Sequence, residues 1–188
     1  MPDLTLGLDG WKPDQCTEVP TVDNGEESGD EKTTTFHIDP HAVWSDGTPI
    51  TADDFLFSAR LDADPAINGS HPWDLMHLSA PDPSTVQIQW SVPYADYLTV
   101  LGSLYPVPFH VYASGKFAGV FNSRTSAYNS TLAQQLQASA QFNTTIPVDN
   151  GPFTVQSFVP DAKVVLVKNP RATFRISSIP RRWIRSRL

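Results

Sequence analysis

Cysteine is almost absent from this sequence. Cys16 stands alone among 188 residues, which excludes an internal disulfide and any cysteine-based metal centre, and a lone cysteine does not identify the redox compartment. Long apolar runs are absent too. No window approaches the roughly 18 consecutive apolar residues of a membrane-crossing helix. Residues 1–15 have neither a basic start nor a continuous apolar block, so they do not read as an export signal, and no apolar run marks Cys16 as a lipid anchor. Without such a signal the expectation is a cytoplasmic protein, a mature sequence, or a chain missing its start. Acids are absent from the end: residues 171–188 carry six Arg and no Asp or Glu, while residues 1–170 carry all 20 acids and seven of the 13 basic residues. The body is thus strongly negative, which argues against a nucleic-acid partner because it would repel a phosphate backbone. Also missing are a G-x-S-x-G elbow, a phosphate-binding G-x-x-x-x-G-K-[ST] loop, an H-E-x-x-H pair and a dinucleotide-binding glycine run. No enzyme activity, catalytic residue, metal site or cofactor is expected.

Proline is plentiful, at 17 residues, and with 10 glycines it forecasts many short elements joined by turns. The longest stretch free of both is 120–146, the best place for a substantial helix. Within it 131–142 reads as helical, with Leu132, Leu136 and Ala140 on one stripe. Residues 1–32 show little pattern, and the acidic run 23–32 reads as a flexible loop. Residues 33–38 alternate as a half-buried strand does, with Thr34, Phe36 and Ile38 on one face. Ser45-Asp46-Gly47-Thr48 is a strong turn signal. Thr51 then offers a hydroxyl to cap the amide of Asp54 at the start of a helix over 52–61, with Phe55, Leu56 and Ala59 apolar. A turn at 81–84 leads into a strand in which Val86, Ile88 and Trp90 face inward. A short helix is expected over 94–101, ended by the prolines of 105–108. Residues 153–159 and 163–168 form a hairpin. Its second strand is apolar on both faces, so a covering layer is expected on one surface.

Few residues suggest chemistry. His37 and His41 are four apart, but one lies in a strand and Asp39-Pro40 separates them, so helical ligand geometry is excluded. His71, Asp74 and His77 have tolerable helical spacing, yet their context favours surface or capping roles. Asp53 and Asp54 are adjacent, so their side chains diverge and cannot share one substrate bond. Helix capping suits them better, and Asp46 suits a turn. Trp44 and Trp90 could wall a pocket, but core burial fits their size.

The densest pattern is Thr35-Phe36-His37-Ile38 followed by residues 41–55, HAVWSDGTPITADDF. This closely resembles the signature of the bacterial family 5 extracellular solute-binding proteins, the oligopeptide-, dipeptide- and nickel-binding proteins of ABC importers. Later blocks agree in order: Asp82-Pro83-Ser84-Thr85-Val86 with Ile88, residues 105–108 with His110, then Asn150-Gly151-Pro152-Phe153 and Lys168-Asn169-Pro170. Asp149-Asn150 replaces the usual Gly-Thr, and Arg171-Ala172-Thr173 stands where the family has an aromatic pair. The resemblance implies an α/β chain, a portion of a two-lobed type II periplasmic-binding-protein fold with mixed sheets and short helices. It divides the chain into 1–32, a flexible or main-lobe edge segment; 33–148, mainly the extra domain beside one lobe; 149–170, the return into the ligand-binding lobe; and 171–188, an atypical basic tail. The tail reads as a basic arm, a poorly ordered terminus or, best matching the charge switch, a frame error.

The implied function is capture of peptides outside the cytoplasmic membrane, periplasmic or at the cell surface, and delivery to ABC permease subunits. Nickel, an oligosaccharide or another small solute, or a non-transport interaction module, are the alternatives. Trp44, Asp46, Gly47, Thr51, Asp53 and Asp54 are the signature residues with structural roles. Gly151, Pro152 and Phe153 are candidates for the approach to a hinge. The chief ligand contacts of the family lie outside the matched portion, so none is assigned here.

Overall fold

The computed structural model describes residues 4–69, 72–139, 148–159 and 162–172. Its core is built on a three-stranded antiparallel sheet of β3 (Thr33–His37), β5 (Thr85–Trp90) and β4 (Met76–Asp82), in the order β3-β5-β4. The alternation in the sequence sets which face is buried. Thr34, Phe36 and Ile38 are almost wholly inaccessible, as are their neighbours Val86 and Ile88, while His37 points out. Register pairs Phe36 with Val86 and Thr34 with Ile88. A cross-strand match of branched and aromatic side chains of this kind stabilises a sheet face.

Helix α1 (Ala52–Ala63) lies across that face. Phe55 is fully buried and meets Phe36 edge to face at 5.3 Å. On the far side of α1, Phe57 stands against Phe109 at 5.5 Å and Phe121 at 6.0 Å. This aromatic trio ties in the short helices α2 (Tyr97–Leu101) and α3 (Phe109–Tyr112), the two-residue ribbon β6 (Phe121–Asn122) with β7 (Ala127–Tyr128), and α4 (Ser130–Gln137). At about 25 cal/mol per Å² of apolar area, each buried phenylalanine contributes roughly 2–3 kcal/mol before its ordering entropy is counted.

Several expectations change. The N-terminal segment is patterned after all: β1 (Leu4–Gly7) and β2 (Gly10–Pro13) pair as a hairpin, and bridges Cys16–Ile38 and Glu27–Thr34 add rungs along β3. Within the acidic run, Glu26 and Glu27 are buried. Glu27 accepts the Thr34 hydroxyl, and that hydroxyl oxygen in turn accepts the Trp90 indole N–H. Charge counted along a sequence does not reveal such pairing. Strand β4 carries no clear signal in the sequence, because Pro81 and an irregular register near Asp82 break its alternation.

The 120–146 stretch begins with a ribbon rather than a helix, since Asn122 Oδ1 accepts the amides of Arg124 and Thr125 and Ser126 takes φ +54°. Helix α4 begins at Ser130, capped by the Asn129 side chain on the Leu132 amide, and closes at Gln137. The expected helix is thus shorter at its end, since residues 138–139 form a turn and a bend, while 140–142 lie outside those described. The hairpin of β8 (Phe153–Val159) and β9 (Lys163–Lys168) forms as expected, with its turn at 160–161 outside the described residues. It is not covered: Phe153, Phe158, Val164 and Leu166 are each more than half exposed. The covering layer expected from its two apolar faces is not supplied by the described part of this chain.

Candidate functional site

The signature segment folds into a turn that three separate parts of the chain grip. The Trp44 amide donates to the Thr48 carbonyl and the Gly47 amide to the Trp44 carbonyl, both at 2.8 Å. Gly47 sits at φ +93°, a region that side chains with a Cβ avoid. One Asp46 oxygen accepts the Thr48 amide at 2.8 Å and the other meets His110 Nε2 at 2.9 Å. Burial works to raise the Asp46 carboxyl, but the bonds from Thr48 and His110 outweigh it and hold it below the usual aspartate range.

Behind the turn lies Asp54, only 2 % exposed. The sequence suggests a helix-capping role, with the Thr51 hydroxyl oxygen accepting the Asp54 amide. The Asp54 carboxylate reaches back to accept the Thr51 amide at 2.8 Å, as in a capping box, and its own amide donates to the Thr51 carbonyl at 3.0 Å. It also accepts the Phe109 amide at 2.8 Å and the Trp44 indole N–H at 3.3 Å. One carboxylate therefore joins the signature turn, the start of α1 and the start of α3. Desolvation pushes its pKa up to about 6, although the bonds from Thr51, Phe109 and Trp44 oppose the rise. Asp53 beside it is only half-buried. Trp44 is buried against this hub, 6.4 Å from the His110 ring, and Trp90 is buried in the sheet.

On its outer side the turn meets the return segment. The Ser45 amide donates to the Asp149 carbonyl at 2.7 Å, and the Asp149 amide donates to Ser45 Oγ at 3.1 Å. Arg171 Nη1 donates to the Ser45 carbonyl at 3.0 Å, and its guanidinium lies over Gly47. Asn169, 2 % exposed, donates from Nδ2 to the Gly151 carbonyl at 2.9 Å and from its amide to the Pro152 carbonyl at 2.9 Å. Thus residues 44–48, 51–54, 109–110, 149–152 and 169–171 converge. Phe153 begins β8 and is exposed.

Sequence patterns do not single out Ser45, Asp149 or Arg171 as parts of one site. Their contacts are largely backbone-directed and carry no residue-type signature. The histidines stay apart from this cluster except His110: His37 meets Thr85 and Glu26, and His41 meets Asp39. Asp74 lies in a 3₁₀ turn, His77 lies on β4, and His71 is outside the described residues. Among the described residues no three His, Cys, Asp or Glu side chains are placed to hold a metal ion, and no helix is long and apolar enough to cross a membrane.

The cluster thus joins the signature turn, the starts of α1 and α3, and the base of the returning hairpin through hydrogen bonds. The family model for bacterial extracellular solute-binding proteins, family 5 (middle region), matches residues 11–174. The chain belongs to that family. The periplasmic oligopeptide-binding protein OppA of Salmonella typhimurium is 28% identical over 174 residues, a match covering 81% of this chain and 28% of that protein. The Haemophilus influenzae OppA is 32% identical over 97 residues, covering 48% of this chain and 18% of that protein.

Among solved structures, the oligopeptide-binding protein of Thermus thermophilus, complexed with a pentapeptide, aligns with TM-score 0.66 at 21% identity. That alignment covers 93% of this chain and 32% of that one. NikZ of Campylobacter jejuni, in complex with Ni(L-His), aligns with TM-score 0.68 at 17% identity, covering 93% and 30%. These likenesses establish the fold as part of a type II periplasmic-binding protein. The chain spans under a third of the length of the relatives it matches.

Proposed function

We propose that this chain represents part of the solute-binding component of an ABC importer, one that captures peptides outside the cytoplasmic membrane and hands them to permease subunits. The observation that carries this reading is the family match across residues 11–174, supported by relatives named as periplasmic oligopeptide-binding proteins. Capture in such a protein is closure of two lobes around a solute, not catalysis. Residues 33–148 supply the extra domain, and 149–170 the return into the ligand lobe. The signature residues Trp44, Asp46, Gly47, Thr51 and Asp54 serve as the joint between them. Asp53 adds a carboxylate near the positive end of α1. A nickel chelate is the second reading, favoured by the neighbour bound to Ni(L-His).

The test is a chimera in which residues 11–172 replace the matching segment of the Salmonella OppA. Titration calorimetry with three- to five-residue peptides is expected to give a Kd within tenfold of the unaltered protein. A folded chimera that binds no peptide overturns the proposal, and one that binds Ni(L-His) instead favours the second reading. The 188-residue chain alone is expected to bind no peptide tightly, because it spans so little of the fold.

A further inference from the structure

We infer that the cavity between α1, β4 and the ribbon β6–β7 is a binding site for a small monocarboxylate with an apolar body, anchored by Arg60. The inference does not use the importer reading, so it stands or falls apart from peptide capture. The cavity has a volume of about 160 Å³. One ligand of ring size fits such a space, since a cavity of about 150 Å³ takes up benzene. Its walls come from four elements. Leu56 and Arg60 belong to α1, Met76 and Leu78 to β4, Trp73 to the 3₁₀ turn Trp73–Leu75, and Phe121 to β6.

The donors on these walls share one property. The Arg60 guanidinium, half-buried in the last turn of α1, makes no hydrogen bond or ion pair with any described residue. Trp73 is 9 % exposed, and its indole N–H has no partner among the described residues. Ser126 stands between β6 and β7 at φ +54° and also lines the cavity; its hydroxyl is likewise unpartnered among them. A buried indole N–H normally finds an acceptor, as do other buried polar groups. Three such donors on one cavity call for an acceptor that is not part of the described chain.

The nearby acids do not fill that role. Asp64, four residues after Arg60, accepts the Tyr128 hydroxyl at 2.8 Å, the Ser130 hydroxyl at 2.6 Å and the Ala66 amide at 2.9 Å. Asp74 is exposed where it lines the cavity and forms no ion pair with Arg60. A cation in the last turn of a helix complements the helix dipole. That accounts for the charge of Arg60 but not for the unpaired N–H and hydroxyl on the same cavity. A carboxylate only accepts, and a guanidinium can meet it with two parallel bonds. The Asp74 charge opposes a second negative charge on the ligand, so a phosphate dianion is disfavoured. The remaining walls are apolar and suit a short hydrocarbon body.

The test is a nitrogen-15 NMR titration of the 188-residue chain at low ionic strength, following the Trp73 indole N–H, which is identified by its loss in Trp73→Phe. The probes are sodium benzoate, its uncharged counterpart benzamide, and inorganic phosphate. Benzoate is expected to shift the signal saturably with a Kd of about 1 mM or tighter. Benzamide and phosphate should each bind at least about tenfold more weakly. Arg60→Gln should bring benzoate down to the level of benzamide while the Trp90 indole signal, from the sheet core, stays in place. No saturable shift with benzoate, equal binding of benzamide or phosphate, or undiminished benzoate binding by Arg60→Gln overturns the site. If Arg60→Gln does not fold, the three probes on the unaltered chain decide alone: benzoate bound no more tightly than benzamide overturns it.

Discussion

Replacing Asp54 by asparagine sets desolvation against hydrogen bonding within one residue. The carboxylate accepts N–H groups from Thr51, Phe109 and Trp44 while 2 % exposed. An asparagine keeps the shape but turns one acceptor into a donor. With its oxygen kept toward Thr51 and Trp44, its NH₂ faces the Phe109 amide and leaves that donor unpaired, a loss of about 1–3 kcal/mol.

Against this stands the cost of the charge. A carboxyl held near pKa 6 rather than at 3.8 carries about 3 kcal/mol against ionising in place, at roughly 1.4 kcal/mol per pH unit. Because the folded value is raised above the unfolded one, the group favours folding most below about pH 4, and that benefit is lost as pH rises towards 6. The variant lacks this titration. Urea unfolding at pH 4.5, 5.5, 6.5 and 7.5 should therefore show Asp54→Asn less stable than the parent at low pH. The gap should narrow or reverse by about 2–3 kcal/mol at pH 7.5. A gap independent of pH, or one that widens with pH, refutes the reasoning and means that the three N–H bonds outweigh desolvation.

Phe55→Ala opens a cavity between α1 and the sheet and should cost about 3–5 kcal/mol, read as a lowered urea midpoint. Gly47→Ala forces a Cβ into a φ of +93° and against Arg171; about 1–2 kcal/mol is expected from the backbone conformation, and thermal unfolding checks it. On the hairpin, Val164→Thr with Leu166→Lys should lower binding of a hydrophobic dye without lowering the unfolding midpoint, because both side chains are more than half exposed. A drop in stability would mean that this surface is covered in solution.

Local pattern carried a good part of the fold. The alternation through Phe36 and Ile38, the turn at Asp46-Gly47, the start of α1 at Ala52 and the hairpin from Phe153 all follow from side-chain period, proline and glycine. These depend on neighbours in sequence, so the sequence suffices. The resemblance of residues 35–55 and the later blocks led to the family, which the match over 11–174 establishes.

The joint was a different matter. Asp54 reads as a helix cap, and only the fold brings Phe109 and Trp44 to it, 55 and 10 residues away in sequence. Glu26 and Glu27 read as solvated charge until the rungs along β3 bury them. Arg171 reads as the first residue of an aberrant tail until it is found over Gly47. By itself the sequence determined the elements with a clear period or turn signal, and the family, because periodicity and turn chemistry are local. The tertiary structure alone decided which polar groups are shut away from water, and those groups hold the parts of this protein together.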